Sequence, residues 1–382
     1  MAGEAVERCL ERIREREPEV RAWVEVAPQE PLGSGPLDGT PFGVKDIFET
    51  KGLLTEYGSA LFAGRRGEMD AALVEMLRRK GAVLLGKTQT TAFAYFDPAP
   101  TRNPRRLSHT PGGSSSGSAA AVADGMAEFA LGTQTQGSVI RPASYCGVVG
   151  FKPTHGLLPM AGVLPFAPTL DTAGFFTRTA AGMRTLWAAM GFQTGAAPAA
   201  EMAALPPPED IEEPMRRGFE ECLARLGVAV VEPPVRLESL FEVVRCINDY
   251  EGARTHKGLF ETHGARVGAK LAELIERGLG TAESDYRKAM DELATARLKM
   301  DEFYDACPVL LWPAAPGPPP EGLASTGSPR MNGAWTGLGV PAITVPMPAG
   351  EQLPLGLQMT ARKGEEALLL ETARLVENVL SS

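Results

Sequence analysis

Serine, lysine and glycine at a few short spacings carry most of the chemistry this chain has to offer. Gly112-Gly-Ser114-Ser-Ser-Gly-Ser118 is a loop of small residues that runs straight into an alanine-rich stretch. By itself such a loop reads three ways: an amide nest for a phosphate, a flexible linker, or a scaffold that places a hydroxyl. A second loop, Gly132-Thr-Gln-Thr-Gln-Gly137-Ser138, sharpens the third reading. A serine that follows a glycine at the end of a strand is placed where a nucleophile can approach a carbonyl closely. Taken singly, each of these serines has the ordinary alternative of a cap or a turn.

A serine nucleophile needs a base and an oxyanion site. The histidines are His109, His155, His256 and His263, and the first two lie in the motif-rich half, so a Ser, His and Asp arrangement stays open. The other base is a lysine that burial holds neutral, leaving an amine able to accept a proton. Lys45, in the apolar setting of Gly43-Val-Lys-Asp46, is the candidate; its ordinary alternative is an ion pair with the adjacent Asp46. Gly81-Ala-Val-Leu-Leu-Gly86-Lys87-Thr88 satisfies a phosphate-loop pattern to the letter. Its context is wrong, because the residues between the glycines are apolar and strand-like, and Lys87 reads better as a strand-end lysine.

These loops need elements to hold them. Val6, Cys9, Leu10 and Ile13 form one apolar helical stripe that Pro18 should stop. The run from Gly39 reads as a strand end that enters a loop at Lys45. Asp70 is placed to cap a helix over 71–80, Gly81 to end it, and 82–85 to form a short buried strand, a step that builds layered α/β folds. A tightly packed helix follows from Ser118, a strand over 127–131 leads into the second loop, and another strand covers 148–151. Composition shifts near residue 197 to an Ala- and Pro-rich stretch. Beyond it the chain to about Tyr304 reads as helical, with 228–231 its clear strand and Tyr286, Met290, Leu293, Met300 and Tyr304 on one helix face. Short strands at 309–312, 342–345 and 355–359 and a helix over 365–380 close the pattern.

Length and composition narrow the function. The chain has 382 residues, 44% hydrophobic and 22% charged, which is ordinary globular usage. A net charge of -9 argues against nucleic acid or an anionic membrane as partner, since both call for a basic face. The 42 glycines and 32 prolines imply many shaped loops. Five scattered cysteines with no C-x-x-C pair give neither a disulfide framework nor a zinc site. A charged start and the lack of a long apolar run lead to the expectation of a cytoplasmic protein.

Four collinear stretches resemble the amidase signature family of serine hydrolases: Gly43-Val-Lys45-Asp, Pro111-Gly-Gly-Ser114-Ser-Ser-Gly-Ser-Ala-Ala-Ala-Val-Ala, Gly132-Thr-Gln-Thr-Gln-Gly-Ser138-Val-Ile-Arg-Pro-Ala-Ser, and Cys146-Gly-Val-Val-Gly-Phe-Lys-Pro-Thr. Leu170-Asp-Thr-Ala-Gly and the tail from Pro313 to Met359 add to the likeness, which is strong over 37–180 and 308–378 and poor between them. The resemblance implies an α/β fold, a single large domain over 1–382 with a central mixed β-sheet flanked by helices. Within it 37–180 would be the catalytic core, 198–305 a variable and mostly helical segment over the core, and 308–382 the strands and helix that complete the body.

It also implies roles. Ser138 would be the nucleophile, Ser114 a bridging serine in cis peptide geometry, and Lys45 the neutral base. The backbone amides of Thr135, Gln136, Gly137 and Ser138 would form the oxyanion hole, with Ser115 and Ser144 as supporting hydroxyls. The implied activity is hydrolysis of the carbon–nitrogen bond of a linear, non-peptide amide, needing neither metal nor other cofactor. The expected partner is a small-molecule amide, with a homodimer left open. Two alternatives stand beside it: the glutaminase-type A subunit of an amidotransferase, which supplies ammonia to a transamidation partner, and a silent amide-binding protein. The second is motivated by Gln134 and Gln136, which stand where many members carry Asp and Gly, and Gln136 cannot visit glycine-only dihedrals. Arg141 also falls one place later than in the commoner Ser-Ile-Arg order. Trp312, Met331, Asn332 and Trp335 read equally as pocket lining or as core.

Overall fold

Alternation along the strand Phe129–Gln134 divides its side chains between two environments. Phe129 and Leu131 join the large core, whereas Ala130 turns to a cluster of small residues that includes Ala119, Val122, Val139 and Ala143. The same division runs through the molecule. The computed structural model describes residues 2–348 and 352–382. Among them eleven strands form one mixed sheet: β1 (Trp23–Gln29), β2 (Pro41–Lys45), β3 (Val83–Thr88), β4 (Phe129–Gln134), β5 (Val149–Lys152), β6 (Thr172–Thr177), β7 (Met202–Ala204), β8 (Ala229–Val230), β9 (Val309–Pro313), β10 (Ala342–Pro346) and β11 (Gly356–Ala361). Their order across the sheet is β1-β3-β2-β4-β6-β5-β10-β11-β9-β7-β8.

Strands β2 and β4 are parallel neighbours, with Phe42 opposite Phe129 and Val44 opposite Leu131, so their C-terminal ends open at the same edge. That is the edge at which α/β sheets build sites, because the loops leaving those ends converge there. Strand β6 runs antiparallel to β4 and begins at Thr172 opposite Gln134, so its start lies at that edge too.

Helices cover the sheet in two manners. After α1 (Ala2–Val20) and α2 (Ala72–Arg79), the short α3 (Ser116–Ala123), buried as far as Val122, and α4 (Ile140–Cys146), buried throughout, press small residues against the sheet. In α3, a Cβ on Gly117 would meet the Ala22 carbonyl oxygen at 2.2 Å and the Gln89 amide nitrogen at 2.4 Å, both fixed backbone atoms. Gly117→Ala should therefore lower stability by about 1–3 kcal/mol, read as a shift of the urea midpoint. An unchanged midpoint would contradict this packing. On the large core, α5 (Ala180–Ala189) packs against β6 and against the C-terminal helix Glu366–Ser381. Between them in sequence, α6 (Glu213–Leu226), α7 (Leu237–His263), α8 (Ala269–Leu279) and α9 (Glu283–Ala306) make up the middle segment. There α7 packs against both α8 and α9, and α10 (Gly333–Leu338) packs on α7.

Several local readings change. Helix α1 runs on through Pro18 to Val20. Asp70 does not cap α2, whose N-cap is Ala71 without a side-chain bond; Asp70 pairs with Arg78 at 2.6 Å and accepts the Lys51 N–H instead. The Ala- and Pro-rich stretch contains β7, which β9 orders by parallel pairing although its own composition gives no strand signal. The phosphate-loop match fails: 83–88 is strand β3, and Lys87 is buried inside the protein. No helix among the described residues is long and apolar enough to cross a membrane.

Candidate active site

Lys45 is the last residue of β2 and is fully buried. Its Nζ lies 2.7 Å from Ser114 Oγ and donates to Thr133 Oγ1, the neighbouring strand's hydroxyl, at 2.8 Å. The ion pair with Asp46 does not form. Asp46 faces Lys87 at 3.0 Å, and Lys87 also donates to Phe48 O and Thr55 Oγ1. Successive strand residues point to opposite faces, so two adjacent charges cannot share one partner, and Lys87 from β3 takes the carboxylate. Among the described residues Lys45 is thereby left with hydroxyls alone. Burial holds its ammonium well below the usual lysine range, opposed by the charge of Asp171.

The serine loop separates its hydroxyls by partner. Ser116 Oγ donates to Gly112 O, Ser118 Oγ donates to Leu131 O, and Ser115 Oγ exchanges hydrogen bonds of 3.3 Å with the backbone of Thr133. Ser114 is the member that meets Lys45, and the Gly113–Ser114 peptide is cis. Four serines that look alike in sequence are thus three backbone braces and one hydroxyl on an amine. Ser115 braces the backbone of Thr133, whose own hydroxyl meets Lys45. Ser144 Oγ has no hydrogen-bond partner among the described residues and lies beside Gly356.

Thr135, Gln136, Gly137 and Ser138 form the loop between β4 and α4 and, with Ser114, line one tight pocket. Among the described residues the N–H groups of 135–138 donate to no protein acceptor. Gln136 needs no glycine-only geometry, since among the described residues positive φ outside glycine is confined to Arg21, Tyr57, Phe93 and Ala94. The position that does require glycine is Gly137, where a Cβ would meet Asn332 Oδ1 at 2.5 Å.

The brace behind this loop was invisible in the motif pattern. Gln134 Oε1 accepts the N–H groups of Val139 (2.9 Å) and Ile140 (3.0 Å), doing for the start of α4 what an N-cap side chain does. Its Nε2 donates to Thr336 Oγ1, and Thr336 Oγ1 donates to the Gln136 carbonyl at 2.7 Å, fixing how that peptide is turned. Arg141 Nη2 donates to Gly113 O at 2.7 Å and its Nε to Thr326 O at 2.8 Å, so one buried guanidinium ties the two serine loops together. Burial without a carboxylate partner pushes that guanidinium down to about 10. The signal for Gln134 lay in its departure from the commoner Asp, which still offers an acceptor oxygen; Thr336 had none beyond its place in the similar tail.

Side chains from elsewhere complete the wall. Tyr95, Phe96 and Phe166 supply apolar surface, and Asn248 on α7 brings the middle segment to the pocket. Trp312 and Trp335 are buried core, set edge to face at 6.4 Å, and line no part of it. His109 pairs with Ser108, and His155 contacts the Pro168 carbonyl; neither meets Ser114 or Ser138. Among the described residues no group of three His, Cys, Asp or Glu is placed to hold a metal ion.

Comparison with known proteins agrees with this architecture. A family model described as Amidase matches residues 4–239. The A subunit of the Chloroflexus aggregans glutamyl-tRNA(Gln) amidotransferase is 30% identical, with 99% of this chain and 93% of that protein aligned. Among solved structures, a crystal structure of an amidase superposes with a TM-score of 0.87 at 29% identity, covering 98% of this chain and 95% of the other. The A subunit of the Thermotoga maritima glutamyl-tRNA(Gln) amidotransferase does so at 0.85 and 28%, covering 99% and 91%. A lysine-bound serine beside a glycine-preceded serine loop, on a fold and a sequence shared with these enzymes, makes this chain a member of the amidase signature family.

Proposed function

We propose that this protein hydrolyses a small carboxylic amide through an acyl-enzyme on Ser138. The observation that carries the reading is the 2.7 Å contact between Ser114 Oγ and a fully buried Lys45 Nζ, next to the Ser138 loop. Ser138 Oγ attacks the amide carbon while its proton passes to Ser114 Oγ, and the Ser114 proton passes to the neutral Lys45 amine. The oxyanion that forms accepts hydrogen bonds from the free N–H groups of 135–138. Collapse breaks the carbon–nitrogen bond, and the relay returns the proton to the leaving amine or ammonia. Water then attacks the ester along the same route, releasing the acid and restoring Ser138.

Burial is what makes the lysine usable. The base form is the deprotonated amine, so turnover should fall as pH drops through the depressed Lys45 value and level off above it. The tight pocket suits a small acyl group. Gln134 as a cap and Gln136 in ordinary backbone geometry remove the motive for a silent binding protein.

A glutaminase component of a larger amidotransferase is favoured as second reading by the full-length similarity to the A subunits of such enzymes. The test is ammonia release from a panel of aliphatic, aryl and amino-acid amides, glutamine included, across pH. Turnover of several simple amides by the chain alone supports the amidase. Weak turnover confined to glutamine supports the glutaminase component. No turnover of any amide by folded protein, with Ser138 inert to acylating reagents, would sink both.

A further inference from the structure

Asp171 belongs to the Leu170-Asp-Thr-Ala-Gly stretch, and none of the steps above uses it. Strands β4 and β6 end their ladder at Gln134 opposite Thr172, so Thr135 and Asp171 are the next residues out, side by side at the edge where the site opens. Thr135 Oγ1 donates to Asp171 Oδ1 at 2.6 Å. The other oxygen, Oδ2, accepts the N–H groups of Phe166 at 2.7 Å and Ala167 at 3.0 Å. Thr135 and Phe166 both line the pocket, so a single carboxylate joins the loop that carries the free amides to the opposite apolar wall.

The charges around it are few. Lys45 ends β2, which flanks β4 on the side opposite β6, and the Asp171 charge favours its ammonium form against burial. Glu251 on α7 accepts from Thr169, two residues before Asp171, and its like charge disfavours ionisation of Asp171, while His155 shares a cavity with Asp171 beside Met160 and Pro168. Burial pushes the Asp171 carboxyl up to about 6, while the bonds from Thr135, Phe166 and Ala167 oppose that rise.

We propose that Asp171 is a positioning residue for the amide-hydrolysing site, anchoring the oxyanion loop through Thr135 and placing an anion at the sheet edge where β2 ends in Lys45. This rests on the serine-lysine reading above. The two actions leave different signatures. Loss of the anchor lets Thr135 and its neighbours drift from the oxyanion, which slows acylation at every pH. Loss of the charge removes what favours the protonated lysine, so Lys45 gives up its proton at lower pH.

The test is the pH dependence of the rate at which a fluorophosphonate phosphonylates Ser138 with loss of fluoride, followed by intact mass, in wild type and in Asp171→Asn, Thr135→Val and Thr135→Ser. For Asp171→Asn the plateau rate should fall by about tenfold to a hundredfold, and the midpoint of the limb should move down by roughly one pH unit. Thr135→Val should lower the plateau without moving the midpoint, and Thr135→Ser, which keeps a donor, should restore most of the rate. An unmoved midpoint in Asp171→Asn would overturn the electrostatic role. A wild-type plateau in Thr135→Val would overturn the anchor, and does not depend on how well the Asp171 variant folds. If folded wild type takes no label on Ser138 at any pH, the serine-lysine reading itself fails and takes this one with it.

Discussion

Lys45→Ala should collapse amide turnover by about three to four orders of magnitude while the protein stays folded. Among the described residues, the side chain it removes is the one base in contact with Ser114, and its hydrogen-bond partners are Ser114 and Thr133. Without it Ser138 has no route for its proton, whereas the free amides of 135–138 still stabilise the oxyanion, so a residual rate above solvent should survive. His109→Ala and His155→Ala should retain most of the wild-type kcat/KM, because neither ring touches either serine. Abolished turnover in a folded histidine variant would overturn the lysine relay and return the chain to a Ser, His and Asp scheme.

Removing the neighbouring lysine should have the opposite profile, harming stability before chemistry. Lys87 and Asp46 are both fully buried, 3.0 Å apart. Burial pushes Asp46 up and Lys87 down, so each charged form exists there chiefly because the other does. Lys87→Met would strand the Asp46 carboxylate, at a cost of about 3–5 kcal/mol in the urea midpoint. Adding Asp46→Asn should recover a good part of the loss, since a buried pair contributes little beyond its own desolvation. A single variant within about 1 kcal/mol of wild type, a threshold at the level of a surface pair, would show that this pair is not what frees Lys45 from Asp46.

Much of the scaffold was legible because its signals are local. Gly and Ser runs mark the loops, short apolar runs mark β3, β4, β5 and β9 to β11, and α9 carries Leu293, Met300 and Tyr304 on its buried face as the spacing requires. Where the reading failed, a distant partner decided the outcome. Asp70 looked like a cap, yet Arg78 two helix turns away offers it an ion pair in a half-dry setting. Strand β7 exists because β9 presents an edge to it, which no property of Met202–Ala204 announces. Asp46 looked like the partner of Lys45, yet strand alternation turns it toward Lys87, more than one element away in the chain.

The site divides in the same way. Residue types and spacing singled out Lys45, the serine loop 112–118 and Ser138, and only the family resemblance implied Ser114 as the member that meets the lysine, since hydroxyl-to-backbone bonds alone distinguish Ser115, Ser116 and Ser118. Gln134, Thr336, Arg141 and Asp171 hold the loop from four separate elements or turns. Their roles come from three-dimensional placement, and a sequence pattern has no access to it.

The most direct test of the central claim is covalent. Purified protein treated with a fluorophosphonate, then characterised by intact mass and peptide mapping beside Ser138→Ala, reads the activated nucleophile without any knowledge of the natural amide. A single adduct on Ser138, absent from the variant and strongly slowed in Lys45→Ala, is the expected result. An adduct on another serine, or none at all on folded protein, would contradict an acyl-enzyme at Ser138.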